Sequence, residues 1–149
     1  MESKNLWVRV AVAAYRGVPV IAESLEKFID RAAAKSGGTD CLSLFETLAE
    51  KLDRKNRLVN LKCVLDDAVG ALREESKTII LRRIEGIPFE SIAEELGISL
   101  RAIFRHYESA LSGMAYHMTV KGFSEEWFMA YFKGDPYIEG LWKRYERDV

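Results

Sequence analysis

Residues 72–114 read LREESKTIILRRIEGIPFESIAEELGISLRAIFRHYESALSGM, and this stretch decides the fold. Apolar residues recur there at helical spacing in three runs, which are separated by Gly86 and by the sequence Gly97-Ile98-Ser99. The runs predict helices over Glu74–Glu85 and Pro88–Leu96 and a third, longer helix after Ser99. A short helix, a glycine turn and a longer helix together form a helix-turn-helix pattern.

The residues around the turn suit a close crossing of two helices. Ala93 is small enough to let the helices approach, and Gly97 lies where the chain needs a positive φ, which glycine adopts without strain. Ile98 is expected to fill the angle between the helices, and the Ser99 hydroxyl is expected to cap the third helix. The inner face of that helix is predicted to consist of Ile103, Tyr107, Ala110, Leu111 and Met114. Any helical hairpin needs the apolar spacing, but only a helix-turn-helix needs the small residue, the glycine, the plug and the cap as well.

This stretch resembles the promoter-reading C-terminal domain of sigma factors, called region four, and the small sigma-like regulators of bacteria and phages that reuse it. The family pattern has an arginine-rich first helix ending in E-G, then E-I-A-x-x-L-G-I-S, a threonine or alanine followed by valine or isoleucine, and a closing A-L. The matching residues are Glu85-Gly86, Ser91-Ile92-Ala93, Leu96-Gly97-Ile98-Ser99, Ala102-Ile103 and Ala110-Leu111. The resemblance covers under a third of the chain. It implies an all-α fold that carries a DNA-binding helix-turn-helix.

The rest of the chain departs from a complete sigma factor. Residues 1–71 lack the acidic and aromatic signature of the sigma domain that grips polymerase and melts the promoter. We therefore expect a regulator with a sigma-like domain rather than an autonomous sigma factor. The predicted organisation is an N-terminal helical region for dimerisation or partner docking (1–71), a DNA-binding domain (72–114) and an aromatic C-terminal helical extension (115–149).

Helices are predicted on both sides of the motif. The stretch Leu6–Tyr15 alternates weakly, like a strand, but it ends in alanines, which favour a helix. A helix is also predicted over Val20–Lys35, where Ser36-Gly37-Gly38 ends it. The next helix is capped by Thr39 or Asp40 and has an apolar stripe that reaches Leu52. After a polar break at Asp53–Asn56, a longer helix carries the apolar residues from Leu58 to Leu72.

The C-terminal extension is rich in aromatic residues. From Tyr116 onward they are Tyr116, Phe123, Trp127, Phe128, Tyr131, Phe132, Tyr137, Trp142 and Tyr145. Two helices are expected, one capped by Ser124 and one opened by Asp135-Pro136. The rings are predicted to pack this extension onto the body of the protein. The alternative is an aromatic patch for a partner protein or a second protomer.

A DNA-reading face follows once the core positions of the third helix are removed. The predicted DNA-binding residues are Ser91, Ser99, Leu100, Arg101, Ala102, Phe104, Arg105 and His106, and Arg82 and Arg83 are candidate phosphate contacts. Arg101 and Arg105 are four residues apart on one face, and either can bind guanine through its two major-groove acceptors. Two alternatives stay open: Phe104 packs against Tyr116 or the tail, and Arg82 and Arg83 form salt bridges with Glu85 or Glu75.

Charge limits how this face can work. The chain has 22 Lys and Arg against 23 Asp and Glu, a net charge of −1, which excludes a polybasic protein that coats nucleic acid by charge alone. Residues 72–118 are also close to neutral, whereas DNA-binding domains are usually basic. A monomer should bind double-stranded DNA weakly, so we expect a homodimer on paired half-sites or a partner such as RNA polymerase.

Other function classes find no support in the sequence. No apolar run approaches the ~20 residues of a membrane-spanning helix, and no secretory signal is expected. Cys41 and Cys63 fit reduced thiols, hence a cytoplasmic protein. Neither a catalytic constellation nor a metal or cofactor motif is present, so no enzyme activity is expected. Two alternatives to a DNA-binding regulator remain: a module that binds polymerase or another regulator without reading DNA, and a small divergent sigma factor.

Overall fold

The computed structural model describes residues 5–35 and 41–147, and within them the fold consists of eight helices with no strand. This confirms the predicted all-α helical bundle. The helices are α1 (Leu6–Tyr15), α2 (Val18–Ala34), α3 (Cys41–Gly70), α4 (Glu74–Ile84), α5 (Phe89–Leu96), α6 (Leu100–Val120), α7 (Glu125–Tyr131) and α8 (Pro136–Arg147). No helix in these ranges is long and apolar enough to cross a membrane.

Helix α1 lies at the centre of the bundle. Val8, Val10, Ala11 and Ala14 are completely buried, and α1 packs against α3, α4, α6 and α8. A helix that is surrounded by protein is apolar on several sides, so its sequence lacks a clear helical period. This explains the weak strand-like alternation of apolar residues in this segment. The core under the helix-turn-helix therefore includes the first helix of the chain.

The predicted polar break at Asp53–Asn56 is wrong, because α3 runs without interruption from Cys41 to Gly70. The break contains neither glycine nor proline, and its charged side chains find partners along and beside the helix. Asp53 accepts a hydrogen bond from Arg57 one turn later at 2.8 Å, and Lys55 pairs with Glu26 of α2 at 3.6 Å. The predicted turn and caps over residues 36–40 lie outside the described residues.

The two halves of α3 have different surroundings. Between Leu42 and Arg57 no side chain is buried, and α2 is the main helix packed against this half. The second half buries Leu58, Leu61 and Leu65 and contacts α1, α4 and α6. The first half of α3 therefore lies mainly beside α2, and near its end Arg54 pairs with Asp135 at 2.9 Å and Arg57 lies over the Tyr131 ring.

The aromatic extension packs onto the body, as predicted. Trp7 of α1 lies 5.9 Å from Phe128 between ring centroids, and the Tyr137 hydroxyl donates a hydrogen bond to the Ala14 carbonyl at 3.1 Å. The predicted caps are confirmed: Ser124 Oγ accepts from the Trp127 amide at 3.2 Å, and Asp135 Oδ1 accepts from two amides at the start of α8. These contacts tie the end of the chain to its beginning.

Candidate nucleic-acid interface

Helices α4, α5 and α6 pack as a helix-turn-helix unit. Ile79, Ile80, Ile92 and Ile103 are completely buried where the three helices meet, and Ala93 is buried at the crossing of α5 and α6. The predicted inner face of α6 is confirmed, because Ile103, Tyr107, Ala110, Leu111 and Met114 are all buried. This face fixes the rotation of α6 and so decides which residues point outward.

The turn between α5 and α6 has the predicted conformation. Gly97 has φ +67°, and the amides of Gly97 and Ile98 donate to the carbonyls of Glu94 at 3.3 Å and Ala93 at 3.1 Å. This is the Schellman arrangement that ends a helix on a glycine. Ser99 Oγ then accepts from the Ala102 amide at 3.1 Å and caps α6. Two residues thus end one helix and begin the next.

One core prediction at the turn is wrong. Ile98 is more than a third exposed, so it does not fill the angle between the helices. Phe89 does, because its ring makes edge contacts with Phe104 and Tyr107 of α6, each at 5.0 Å between centroids. The Phe89 ring therefore spans the gap between the start of α5 and the side of α6, and Ile98 lies at the surface of the turn.

Arg101 and Arg105 both lie on the outward face of α6, one turn apart. Both side chains are exposed, and neither makes an ion pair or a hydrogen bond with any residue that the structure describes. Ser99 is also exposed on this side, whereas Leu100, Ala102 and His106 are partly buried. The structure therefore presents two unengaged guanidinium groups at the start of the helix.

Phe104 packs against α5 rather than against Tyr116 or the tail. Its ring contacts Phe89 and is still 45% exposed. Phe104 and Tyr116 are twelve residues apart, which at about 100° per residue places them about 120° apart around α6. The exposed edge of Phe104 lies beside the two arginines.

The two candidate phosphate contacts on α4 are held by their own chain. Arg82 makes a forked contact with the Glu95 carboxylate at 3.0 and 3.2 Å, and Glu85 lies 3.9 Å away. The Glu95 carboxylate raises the pKa of Arg82. The Arg83 guanidinium lies 4.2 Å from the Phe89 ring centroid and donates to the Ile87 carbonyl at 3.1 Å. The sequence-based alternative of a salt bridge is therefore confirmed for Arg82 with Glu85, although its main partner is Glu95, which was not predicted. Arg83 forms no salt bridge with any residue that the structure describes.

Ser91 is exposed in the first turn of α5. Its amide donates to the Pro88 carbonyl at 3.1 Å and is therefore already used inside the fold. The hydroxyl is the remaining group of Ser91 that can reach a phosphate oxygen.

Sequence reasoning missed a functional neighbour of this face, Arg9 of α1. Its guanidinium pairs with the Glu108 carboxylate and lies 5.8 Å from the Tyr107 ring centroid. Glu108 is the sole acidic residue of α6, so Arg9 neutralises the negative charge on the reading helix. No local pattern could reveal this pair, because the two residues are far apart in the chain.

Comparison with known families agrees with this geometry. Residues 64–112 match the family model described as sigma-70, region 4, and the match starts in the last turns of α3 and ends within α6. The chain gave no match to a curated protein or to a solved structure. Domains of this family are non-enzymatic and bind DNA and RNA polymerase, so the match indicates a DNA-binding, sigma-like role in transcription.

Proposed function

We propose that the sigma-70 region 4 domain of this chain makes it a sequence-specific transcription regulator that reads double-stranded DNA with α6. One observation carries the proposal: Arg101 and Arg105 are exposed, one turn apart, and unengaged within the described part of the chain. In a docked helix-turn-helix, residues at this end of the third helix reach base edges in the major groove.

The two arginines supply the base recognition. Each guanidinium can donate two hydrogen bonds to O6 and N7 of a guanine, which discriminates against a wrong base by roughly 1–3 kcal/mol. Because neither side chain has an ion pair within the described residues, neither must break one before it binds. Arg82 and Arg83 must first leave their internal partners, Glu95 and Phe89, so they serve as secondary phosphate contacts.

The surrounding residues complete the proposed interface. The hydroxyls of Ser91 and Ser99 donate to phosphates and fix the orientation of the domain on the duplex. Leu100, Ala102 and the exposed edge of Phe104 offer apolar surface to thymine methyl groups, and His106 lies at the margin of the face.

The charge of the domain requires help from a partner. Residues 72–118 contain seven acidic residues against six basic ones, and three of the basic ones, Lys77, Arg82 and Arg83, are engaged internally. Phosphate neutralisation by one copy is therefore small. We propose that RNA polymerase or a second copy of the chain supplies the remaining affinity, in the cytoplasm of a bacterial cell. The proposed function involves no catalysis and no cofactor.

A second candidate function is a module that binds polymerase or another regulator without reading DNA. The acidic face of α5 favours it, because Glu90 and Glu94 are exposed and make no ion pair within the described residues. Such a face suits a basic protein surface better than a phosphate backbone. A small divergent sigma factor is the third candidate.

The decisive experiment selects DNA sequences with the purified protein and then measures the affinity as a function of salt. The double variant Arg101→Ala/Arg105→Ala should lose the selected sequence preference. The matched control Arg31→Ala/Arg144→Ala removes two exposed arginines on other helices and should bind normally. Binding by the reading-face variant at the wild-type level would overturn the proposal.

Two further results would identify the alternatives. Co-purification with core polymerase, without affinity for DNA alone, would establish the interaction module. Promoter-specific transcription by core polymerase with this protein as its one added factor would establish a sigma factor.

A further inference from the structure

The outer face of α3 carries a regular stripe of exposed residues. Positions 42, 45, 49, 52, 56, 59 and 63 are Leu, Phe, Ala, Leu, Asn, Val and Cys, and all seven are exposed. The steps between them alternate between three and four residues, which is the heptad spacing of a coiled coil. At 1.5 Å per residue the stripe is about 32 Å long.

The exposure of the large apolar members is high. Leu42 is 69% exposed, Phe45 72%, Leu52 47% and Val59 39%. Single exposed apolar residues are normal on a protein surface, but a contiguous row marks an interaction site. The opposite face of the same helix is already used, because Leu58, Leu61 and Leu65 are buried in the bundle.

We propose that α3 pairs with α3 of a second copy of this chain, parallel and in register, along this stripe. In heptad terms, Leu42, Ala49, Asn56 and Cys63 occupy the first core position, and Phe45, Leu52 and Val59 occupy the second. A single asparagine at the first position fixes register and favours two strands, because it finds its partner when it meets the same residue of the other helix. The stripe is thus complementary to itself.

Charges beside the stripe favour the same arrangement. On one side lie Glu46, Asp53 and Asp67, and on the other lie Lys55 and Lys62. A parallel pair places the acidic row of one copy opposite the basic row of the other, with Lys62 at ion-pair spacing from Asp67 of the partner subunit. An antiparallel pair would place acid beside acid and lysine beside lysine.

The existing contacts of these charged residues do not prevent pairing. Asp53 pairs with Arg57 at 2.8 Å and Lys55 with Glu26 at 3.6 Å, both at the surface. Lys62 pairs with Asp66, and Asp67 with Lys121 and His117. Because these pairs lie at the surface, their side chains can exchange one partner for another.

A parallel pair has a consequence for DNA reading, which rests on the proposed function. The C-terminal ends of both α3 helices lie at the same end of the coiled coil, and each leads directly into a region 4 domain. Two reading helices then face the same duplex and can occupy two half-sites. The second copy doubles the phosphate contacts, which a near-neutral domain lacks.

Sedimentation equilibrium of the full chain without DNA tests the pairing. We expect a dimer, and Leu52→Lys should raise its dissociation constant more than roughly tenfold because a charge enters the core of the interface. The matched control is Val20→Lys, since Val20 is 69% exposed on α2 and lies off the stripe. Circular dichroism shows whether each variant stays folded.

The possible outcomes separate cleanly. A protein that is monomeric at every concentration, or a dimer that tolerates Leu52→Lys as well as Val20→Lys, overturns the proposal. Asn56→Leu supplies a test that does not weaken the interface, because an apolar side chain replaces a polar one in its core. This variant should have a lower dissociation constant or form oligomers larger than a dimer. Because no DNA is present, these results are independent of whether Arg101 and Arg105 read bases.

The exposed thiol of Cys63 tests the orientation. In a Cys41→Ser background, a short thiol-to-thiol cross-linker should join two copies through Cys63, and Cys63→Ser should abolish the covalent dimer. A dimer that resists this cross-linking overturns the parallel register. If a co-purifying protein occupies the stripe in place of the second copy, the proposal that α3 pairs with another α3 is wrong.

Discussion

Arg9 of α1 pairs with Glu108 of α6, although the two residues are 99 positions apart in the chain. The pair joins the first helix to the reading helix and neutralises a carboxylate one turn from Arg105. Arg9 also lies over the ring of Tyr107, which is buried in the same core. One side chain therefore contributes both to stability and to the charge of the DNA-reading face.

These two contributions can be separated by mutation. Arg9→Ala should lower the free energy of unfolding by roughly 1–2 kcal/mol, because it removes the ion pair and the packing of the arginine stem over Tyr107. It should also weaken DNA binding, since Glu108 is left as an unpaired negative charge near the phosphates. Urea unfolding followed by circular dichroism and fluorescence anisotropy with selected DNA measure the two effects.

The double variant Arg9→Ala/Glu108→Ala gives the control. DNA affinity should recover, because the carboxylate is gone, whereas stability should stay low, because the stem packing is still missing. If the double variant binds DNA as poorly as Arg9→Ala, then Arg9 acts by positioning α6 rather than by neutralising charge.

Release of Arg82 from Glu95 should strengthen DNA binding. Glu95→Gln removes the carboxylate that holds this guanidinium, which can then reach a phosphate. The plot of log affinity against log salt should steepen by about one, the change expected for one added phosphate contact. Glu94→Gln is the matched control, since Glu94 is an exposed neighbour with no ion pair in the described residues. An equal change in both variants would show a general charge effect and leave Arg82 without a phosphate role.

The local parts of the helix-turn-helix could be predicted because their physics is local. Gly97 and Ser99 act through hydrogen bonds to residues within five positions, and a glycine followed by a serine indicates such a turn. The inner face of α6 followed from periodicity alone. Arg82–Glu95 and Arg9–Glu108 could not be predicted, because each depends on how two helices pack in three dimensions.

The error in α3 has a different origin. The polarity of Asp53–Asn56 suggests a break, but a helix tolerates charged residues well, and only glycine or proline would end it strongly. The unbroken helix matters for function, because the exposed heptad stripe runs through the expected break at Asn56. The contact of Phe104 could not be predicted from local sequence either, because its partner Phe89 lies on another helix.

Acid should weaken the junction between α3 and α6 through Asp67. Its carboxylate accepts hydrogen bonds from Lys121 at 2.8 Å and from His117 at 2.9 Å, and these contacts lower the pKa of Asp67 from the ordinary value of an aspartate. A carboxyl group with a lowered pKa in the folded state stabilises the fold above its unfolded pKa and loses this contribution as the pH falls through the folded value. The loss should therefore occur in acid, below the usual pKa of an aspartate.

Urea midpoints measured across this range test the point. The wild type should lose stability more steeply than Asp67→Asn as the pH falls, because the amide does not titrate. Asp30→Asn is the control, since Asp30 is exposed on α2 and has no ion pair within the described chain. Parallel pH profiles for the wild type and Asp67→Asn would contradict the assignment.

Two glycine-to-alanine changes should have opposite effects on stability for reasons of backbone conformation alone. A Cβ atom would meet nothing within 4 Å at either Gly97 or Gly140, so neither change causes a clash. Gly97 has φ +67°, and an alanine there is strained by roughly 1–2 kcal/mol. Gly140 lies inside α8 at an ordinary helical position, where alanine should stabilise the helix by about 0.5–1 kcal/mol.

Gly97→Ala should also weaken DNA binding, because a turn that opens rotates α6 relative to α5, whereas Gly140→Ala should leave binding unchanged. Thermal unfolding of the two variants measures the signs, and a Gly97→Ala protein as stable as the wild type would show that the turn does not need its left-handed glycine.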